Sequence, residues 1–232
     1  MKILYYKDKK FYWNEGDLKT HFGVIKEGDI KQNKAITHLG KKFLIFEANF
    51  LDRIRRIKRG PAIVSLKDIG LILTNTGITK DSICLDAGTG SGFLSIFLAN
   101  FCKKVYSYEI NKEFYSLAQK NIEKLNIKNI ILKNKDVYEK IDEKDLDLIT
   151  LDLKEPWKAL KNCEEALKPG AFLVTYLPTT AQLAELIEKA NNFIYIKTVE
   201  LLERKWKIEL PIIRPQSKMI AHTGFLSFFR KP

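Results

Sequence analysis

Four groups of residues in this chain have types and spacings suited to chemistry. The first is Leu85-Asp86-Ala87-Gly88-Thr89-Gly90-Ser91-Gly92-Phe93, an apolar stretch running through an acid into three alternating glycines. Glycine permits positive φ and a close approach of backbone to ligand. A helix starting behind such a turn presents free N–H groups. A dinucleotide fingerprint needs G-x-G-x-x-G. Here Phe93 stands at its third glycine position, which argues against a nicotinamide dehydrogenase. The second group is Glu109, 17 residues beyond Gly92 at the end of the next apolar run. Its two oxygens can accept from both hydroxyls of a ribose. The third is Asp136, in Lys135-Asp136-Val137, which can accept from the exocyclic amine of an adenine. The fourth is Asp152, in Leu151-Asp152-Leu153-Lys154-Glu155-Pro156-Trp157. Each has a plainer use as well: a strand–helix turn, a solvated strand-end acid, a turn aspartate, a helix N-cap followed by proline and a core tryptophan.

The elements that must position these residues follow from periodicity. Strands are expected at Ser82–Ala87, Lys104–Glu109, Ile130–Lys133, Leu146–Asp152 and Ala171–Tyr176, with helices at 93–100, 112–125 and 181–190. Along 112–125 the residues Phe114, Leu117, Ala118, Asn121, Ile122 and Leu125 follow helical spacing, and only Asn121 breaks the apolar stripe. Ser65 to Asp68 reads as a capping box opening a helix that ends at Gly77. Strand-like runs close the chain at 195–200 and 221–229. Such alternation means an α/β fold with a mostly parallel sheet covered on both faces. Ligands bind such sheets beyond the C-terminal strand ends, where all four groups fall. Before Gly60-Pro61 the pattern differs. Short apolar runs (3–6, 11–13, 22–25, 43–46) read as a small β module of the open-barrel kind, so the expected units are 1–60 and 61–232.

Composition limits the classes. The 232 residues carry 40 Lys+Arg against 28 Asp+Glu, a net +12, and 45% are hydrophobic. That is globular, not disordered. No apolar run approaches a membrane span, and the N-terminus does not read as a signal peptide. The three cysteines form no CxxC pair and the three histidines lie far apart. A disulfide framework and a metal site are therefore not expected, and a cytoplasmic location is. Residues 1–60 hold 15 basic and 7 acidic side chains, and the densest run is Arg53-Ile54-Arg55-Arg56-Ile57-Lys58-Arg59. Five charges in seven residues suit a polyanion, or simply a basic solvated surface. The spacing of Ile54 and Ile57 implies one anchored face.

Taken together, Asp86–Gly92, Glu109, Asp136 and Asp152 resemble the cofactor-site series of class I S-adenosylmethionine-dependent methyltransferases, in the right order across roughly 70 residues. Asp86–Gly92 is similar to the methionine-side loop, Glu109 to the ribose acid and Asp136 to the adenine-side residue. Further stretches narrow the resemblance to the tRNA (adenine-N1)-methyltransferases that act in the T-loop. Asp152-Leu153 through Pro156-Trp157 resembles their D-L-x-x-P-W motif. Arg214-Pro215 through Met219 to His222-Thr223-Gly224-Phe225-Leu226 resembles their tail signature. Lys58-Arg59-Gly60-Pro61 through Lys67-Asp68 resembles their entry segment. Ala62, Ser65 with Leu66, and Ala221 depart from the pattern, at a glutamine, an aromatic–proline pair and a glycine respectively.

The resemblance implies a Rossmann-like methyltransferase sheet with a small N-terminal β module. It implies S-adenosylmethionine held by Gly88, Gly90, Ser91, Gly92, Phe93, Leu94, Glu109, Phe114, Asp136 and Asp152. Asp152 is the expected catalytic residue, orienting the adenine and offsetting the charge that builds at N1. The implied partner is tRNA, with adenosine 58 as acceptor, alone or together with 57, and the implied assembly is a homo-oligomer, a tetramer. His222 is read as a packed strand residue rather than a base. The rival readings are a class I methyltransferase acting on a protein carboxylate or a small metabolite, and a non-catalytic tRNA-binding subunit.

Overall fold

The computed structural model of the protein describes residues 1–60 and 63–232. Pro61 and Ala62 of the entry segment lie outside the described residues. The chain divides into two units, Met1–Ile57 and Lys58–Pro232.

In the first unit, β1 (Lys2–Tyr6) and β2 (Lys9–Trp13) form an antiparallel hairpin. β3 (Leu18–Thr20) and β4 (Gly23–Ile25) form a separate two-stranded ribbon. After α1 (Glu27–Lys31), β5 (Leu44–Glu47) pairs with the free edge of β1, giving the order β2-β1-β5. The module is therefore β-rich as read, but it is two small sheets and not a barrel. Strands of three residues supply too few ladder bonds to close one. Leu4, Trp13, Ile25, Ile30, Ala35 and Phe43 make its core. α2 (Phe50–Ile54) opens with a capping box between Asn49 and Asp52, and Asp52 also pairs with Lys10. Ile54 and Ile57 are buried while Arg53, Arg55 and Arg56 are exposed. The basic run thus has an apolar underside.

The second unit begins with α3 (Leu66–Thr76), which ends at Gly77 in the left-handed conformation. The capping box expected at its start is absent. The Ser65 hydroxyl donates to the Asp68 carboxylate at 2.8 Å and does not cap the helix backbone. Then come β6 (Ile83–Ala87), α4 (Phe93–Ala99), β7 (Lys104–Tyr108), α5 (Lys112–Leu125), β8 (Ile130–Lys133) and β9 (Leu146–Leu151). A 3-10 turn, Pro156–Ala159, leads into α6 (Leu160–Ala166) and β10 (Leu167–Leu177). α7 (Thr180–Lys189), β11 (Ile194–Val199), the hairpin β12 (Trp206–Glu209) with β13 (Ile212–Pro215), and β14 (Phe225–Arg230) complete it. The seven-stranded sheet has the order β11-β14-β10-β9-β6-β7-β8. β14 runs antiparallel to both of its neighbours and the other pairings are parallel. Strand order reverses between β6 and β9, which is where such sheets bind ligands.

One expectation fails at the C-terminal end. The closing strand starts at Phe225 and not at 221, because Ala221–Gly224 make no ladder pairing. The hairpin β12–β13 and helix α6 carry no expectation at all.

Candidate active site

Register alone brings the key residues together. Asp86 pairs with Thr150 and Ala87 with Leu151, so Gly88 and Asp152 emerge side by side at the strand tips. The Asp152 amide donates to the Ala87 carbonyl at 3.0 Å. Gly88 has φ +86, and a Cβ there would meet the Asp152 carbonyl oxygen at 2.1 Å. No other residue type fits that position. Gly90 and Gly92 are also left-handed.

Ile63, Val64, Asp86, Gly88, Asp152 and the loop from Thr89 to Leu94 line one narrow cleft at these tips. Asp86 is buried beneath it and accepts from the Ser95 hydroxyl and, at 2.8 Å, from that of Thr150. Burial pushes its carboxyl up to about 6, against those two donors and with the charge of Glu109 adding to the shift. Burial likewise pushes Asp152 up to about 7, with the charge of Asp86 contributing. The Asp152 carboxylate has no hydrogen bond or ion pair among the described residues. Glu109 is buried, and it accepts from the Gly90 amide at 2.8 Å and the Asn111 amide at 2.9 Å. It therefore fixes the glycine loop and keeps one lone pair on each oxygen. Asp136 stands beyond Glu109 in an adjoining cleft with Ile110 and Asn134. One of its oxygens is used by the Tyr138 amide at 2.8 Å.

The glycine loop holds one buried polar atom without a partner among the described residues, the Ser91 hydroxyl. Buried hydroxyls are almost always satisfied, so Ser91 faces a place for a polar ligand atom. The two acids that line the cleft with Ser91, Asp86 and Asp152, have no ion-pair partner among the described residues and favour a ligand carrying positive charge. These residues fit a nucleoside cofactor with a cationic end.

Phe93 and Leu94 are buried at the start of α4 and line the cleft. Phe114, half-buried on the first turn of α5, lines neither cleft. Trp157 packs against the core, which is the plainer of its two readings. His222 is half-exposed in the loop before β14, bonded to Glu200 and to the Pro178 carbonyl; the expectation that it packs within a strand fails because the strand begins later.

Two sets of residues escaped sequence reasoning. Asn121 is buried on α5. Its side chain accepts from the Lys58 amide at 3.1 Å and donates to the Lys58 and Ser91 carbonyls, both at 2.8 Å. The polar break in the apolar stripe is thus a tie between the entry segment and the glycine loop. The second set joins the entry segment to the tail. Lys67 donates to Asp68 and to the Thr223 hydroxyl, both at 2.7 Å, and Thr223 donates to Asp68 at 2.9 Å. The Tyr176 hydroxyl donates to the Thr223 carbonyl at 2.7 Å. Its ring lies so close to Gly224 that a Cβ there would meet it at 2.5 Å. Only the motif hinted at this set, and it gave no physical reason.

The family model of the tRNA methyltransferase complex GCD14 subunit matches residues 57–213, about two thirds of the chain. The chain belongs to this family. It is 35% identical to the tRNA (adenine(57)-N(1)/adenine(58)-N(1))-methyltransferase TrmI of Methanocaldococcus jannaschii, over 92% of this chain and 87% of that one. It is 32% identical to the tRNA (adenine(58)-N(1))-methyltransferase TrmI of Thermus thermophilus, over 84% and 79%. Among solved structures, the tRNA (m1A58) methyltransferase TrmI of Aquifex aeolicus superposes with TM-score 0.84 at 28% identity, covering 100% of this chain and 96% of that one. A Thermotoga maritima structure described as a SAM-dependent O-methyltransferase superposes at 0.87 and 32%, covering 99% and 92%. The family resemblance and the fold class read from the motifs hold across both units. Among the described residues no helix is long and apolar enough to cross a membrane.

Proposed function

We propose that the protein transfers a methyl group from S-adenosylmethionine to N1 of adenosine 58 in the tRNA T-loop, and to adenosine 57 as well. The observation that carries this reading is the unpaired Asp152 carboxylate beside Gly88, at the switch point of a sheet whose family acts on tRNA. When bound, S-adenosylmethionine supplies an electrophilic methyl group on a sulfonium. The protein's own residues do the rest. Gly88, Gly90 and Gly92 allow close backbone approach, and the Ser91 hydroxyl offers a polar contact. Glu109 accepts from the ribose hydroxyls with its remaining lone pairs, and the free oxygen of Asp136 accepts from the adenine amine. Phe114, which lines neither cleft, is left out of this set.

Asp152 accepts from the N6 amino group of the target adenine and so aims the N1 lone pair. As the N1–methyl bond formed, the methyl–sulfur bond would break to leave a neutral thioether, so the positive charge would pass to N1, where the Asp152 carboxylate stabilises it. No proton need leave N1 and no covalent enzyme intermediate is needed, so positioning supplies most of the effect. N1 lies on the Watson–Crick edge, so the base must leave its stack. We assign the N-terminal unit and its exposed Arg53 and Arg55 to phosphate contacts, the assembly to a homotetramer and the site of action to the cytoplasm.

The test is methyl transfer from labelled cofactor to unmodified tRNA, with nucleoside analysis and site mapping. The expected product is N1-methyladenosine at 58 and 57. The description of the Thermotoga structure supports a second reading, O-methylation. Label in protein carboxylates or small molecules, with none in tRNA, would establish that reading instead.

A further inference from the structure

A second cavity opens in the methyltransferase unit, lined by Ser65 and Lys67 of the entry segment, Arg204 and Lys205 after β11, and Lys218 and Thr223 of the tail. Its floor is fixed. The Lys67 ammonium is nearly buried and is held by Asp68 and Thr223, both at 2.7 Å, and the Ser65 hydroxyl closes the same carboxylate at 2.8 Å. Its rim is tied across by the Gln216 amide, which donates to the Lys205 carbonyl at 2.9 Å. Arg214 donates to the Ser217 hydroxyl at 3.1 Å and shapes the turn that presents Lys218.

The charges on the rim are unbalanced. Lys205 has Glu203 at 3.7 Å, but Arg204 and Lys218 have no ion-pair partner among the described residues. Two free cations over a closed floor favour an anion. At about 240 Å3 the cavity is below the ~300–1,000 Å3 typical of small-molecule sites. That suits one sugar–phosphate linkage better than a whole cofactor.

Its place in the fold identifies the anion. Ile63 and Val64 line the Asp152 cleft, while Ser65 and Lys67, on the same stretch of chain, line this cavity. One to four residues separate the two linings, which is roughly 3–14 Å of extended chain. A nucleotide whose base sits against Asp152 carries its phosphodiester at a comparable remove.

We propose that this cavity binds the phosphodiester of the RNA strand at the flipped acceptor nucleotide, with Arg204 and Lys218 as its ligands and the Lys67–Asp68–Thr223 cluster as its rigid floor. The inference rests on the RNA-methylating reading above. It assigns a phosphate site in the second unit, separate from the basic N-terminal unit.

The test compares the wild type with Arg204→Ala, Lys218→Ala and the double variant, using unmodified tRNA and a T-arm stem-loop with a methylphosphonate at the linkage flanking the acceptor. Lys80→Ala, in the loop at the opposite end of β6, controls for loss of charge alone. Each cavity variant should bind tRNA roughly tenfold more weakly, as for a lost charge-assisted hydrogen bond. Each should also lower the salt slope of binding by about 1. Cofactor affinity should not change. The methylphosphonate should weaken binding to the wild type and leave binding to the double variant unaltered. Wild-type affinity and salt slope in the double variant, with normal methyl transfer, would overturn the site alone. A wild type that methylates other acceptors but no tRNA would overturn the functional reading, and this site with it.

Discussion

Asp152 and Gly88 divide the work of one tip of the sheet. The carboxylate reacts to charge, and the glycine makes room for it. Because burial pushes Asp152 up to about 7 in the protein alone, much of it is protonated in mildly acidic solution. In the role proposed for it, the protonated form can still accept from the adenine amine, but only the ionised form carries the charge that offsets the one growing at N1. Methyl transfer at limiting substrate should therefore rise with pH below about 7 and flatten above it. Asp152→Asn keeps the shape and should abolish that limb of the profile. Asp152→Ala should keep S-adenosylmethionine affinity within about tenfold and lower single-turnover transfer by roughly 10²-fold or more, the scale of a lost charge-stabilising group. Near-normal turnover in either variant would remove Asp152 from the mechanism. Gly88→Ala would force a methyl to 2.1 Å from the Asp152 carbonyl oxygen at φ +86. Strain of that kind costs on the order of 2–3 kcal/mol. Urea titration should show the loss, and calorimetry should show cofactor binding lost with it. At this scale the sequence was highly legible. Alternating glycines and strand-end acids have few other uses in such order. What it hid was partnership. Nothing in the sequence indicates that Glu109 is already bonded to Gly90, or that Ser91 is left without a partner.

Elements were legible where burial imposes a period. α5 runs over 112–125 as its stripe requires, and the parallel strands differ from their expected bounds by a few residues at most, the largest change being the extension of β10 to Leu167. The misses lie where burial imposes none. β12 and β13 expose Trp206, Ile208, Ile212 and Ile213, so neither strand has a buried face, although Trp206-Lys207-Ile208-Glu209 alternates. α6 is seven residues, too short to show a stripe. The Ser65 cap was misread because the hydroxyl serves the Asp68 carboxylate, a partner visible only once Lys67 and Thr223 are brought beside it. Asn121 is the informative exception. A polar residue on a buried stripe looks like a defect until its three bonds to Lys58 and Ser91 are seen. Asn121→Leu would repair the stripe and leave those backbone groups buried without partners, at about 1–3 kcal/mol for each group that water does not reach. The prediction is a loss of at least about 2 kcal/mol in urea unfolding, together with weaker cofactor binding through the loosened loop. A gain in stability would mean that hydrophobic burial outweighs the tie.

At the scale of the whole molecule, net charge and its distribution set how a polyanion is met. The excess of 15 basic over 7 acidic residues in 1–60 was plain in the sequence, but which cations are free was not. Lys10 is committed to Asp52 and Lys26 to Asp17, and the Arg56 guanidinium lies 5.1 Å from the Tyr12 ring centroid. Arg53 and Arg55 remain exposed above the buried Ile54 and Ile57. Removing both should leave folding intact, because neither is part of a core. If they contact tRNA phosphates, Arg53→Ala with Arg55→Ala should lower the slope of log K against log salt by about 2 and weaken binding at low salt far more than at high salt. Affinity for S-adenosylmethionine and the rate within the bound complex should not change, since Asp152 and the glycine loop are untouched. The measurement is fluorescence anisotropy with labelled tRNA across a salt series, beside single-turnover transfer at saturating enzyme. An unchanged slope would mean that the basic run is a solvated surface and that the RNA is held by the second unit alone. A reduced slope with a slower single-turnover rate would mean that phosphate contacts in the first unit also help bring the base to Asp152.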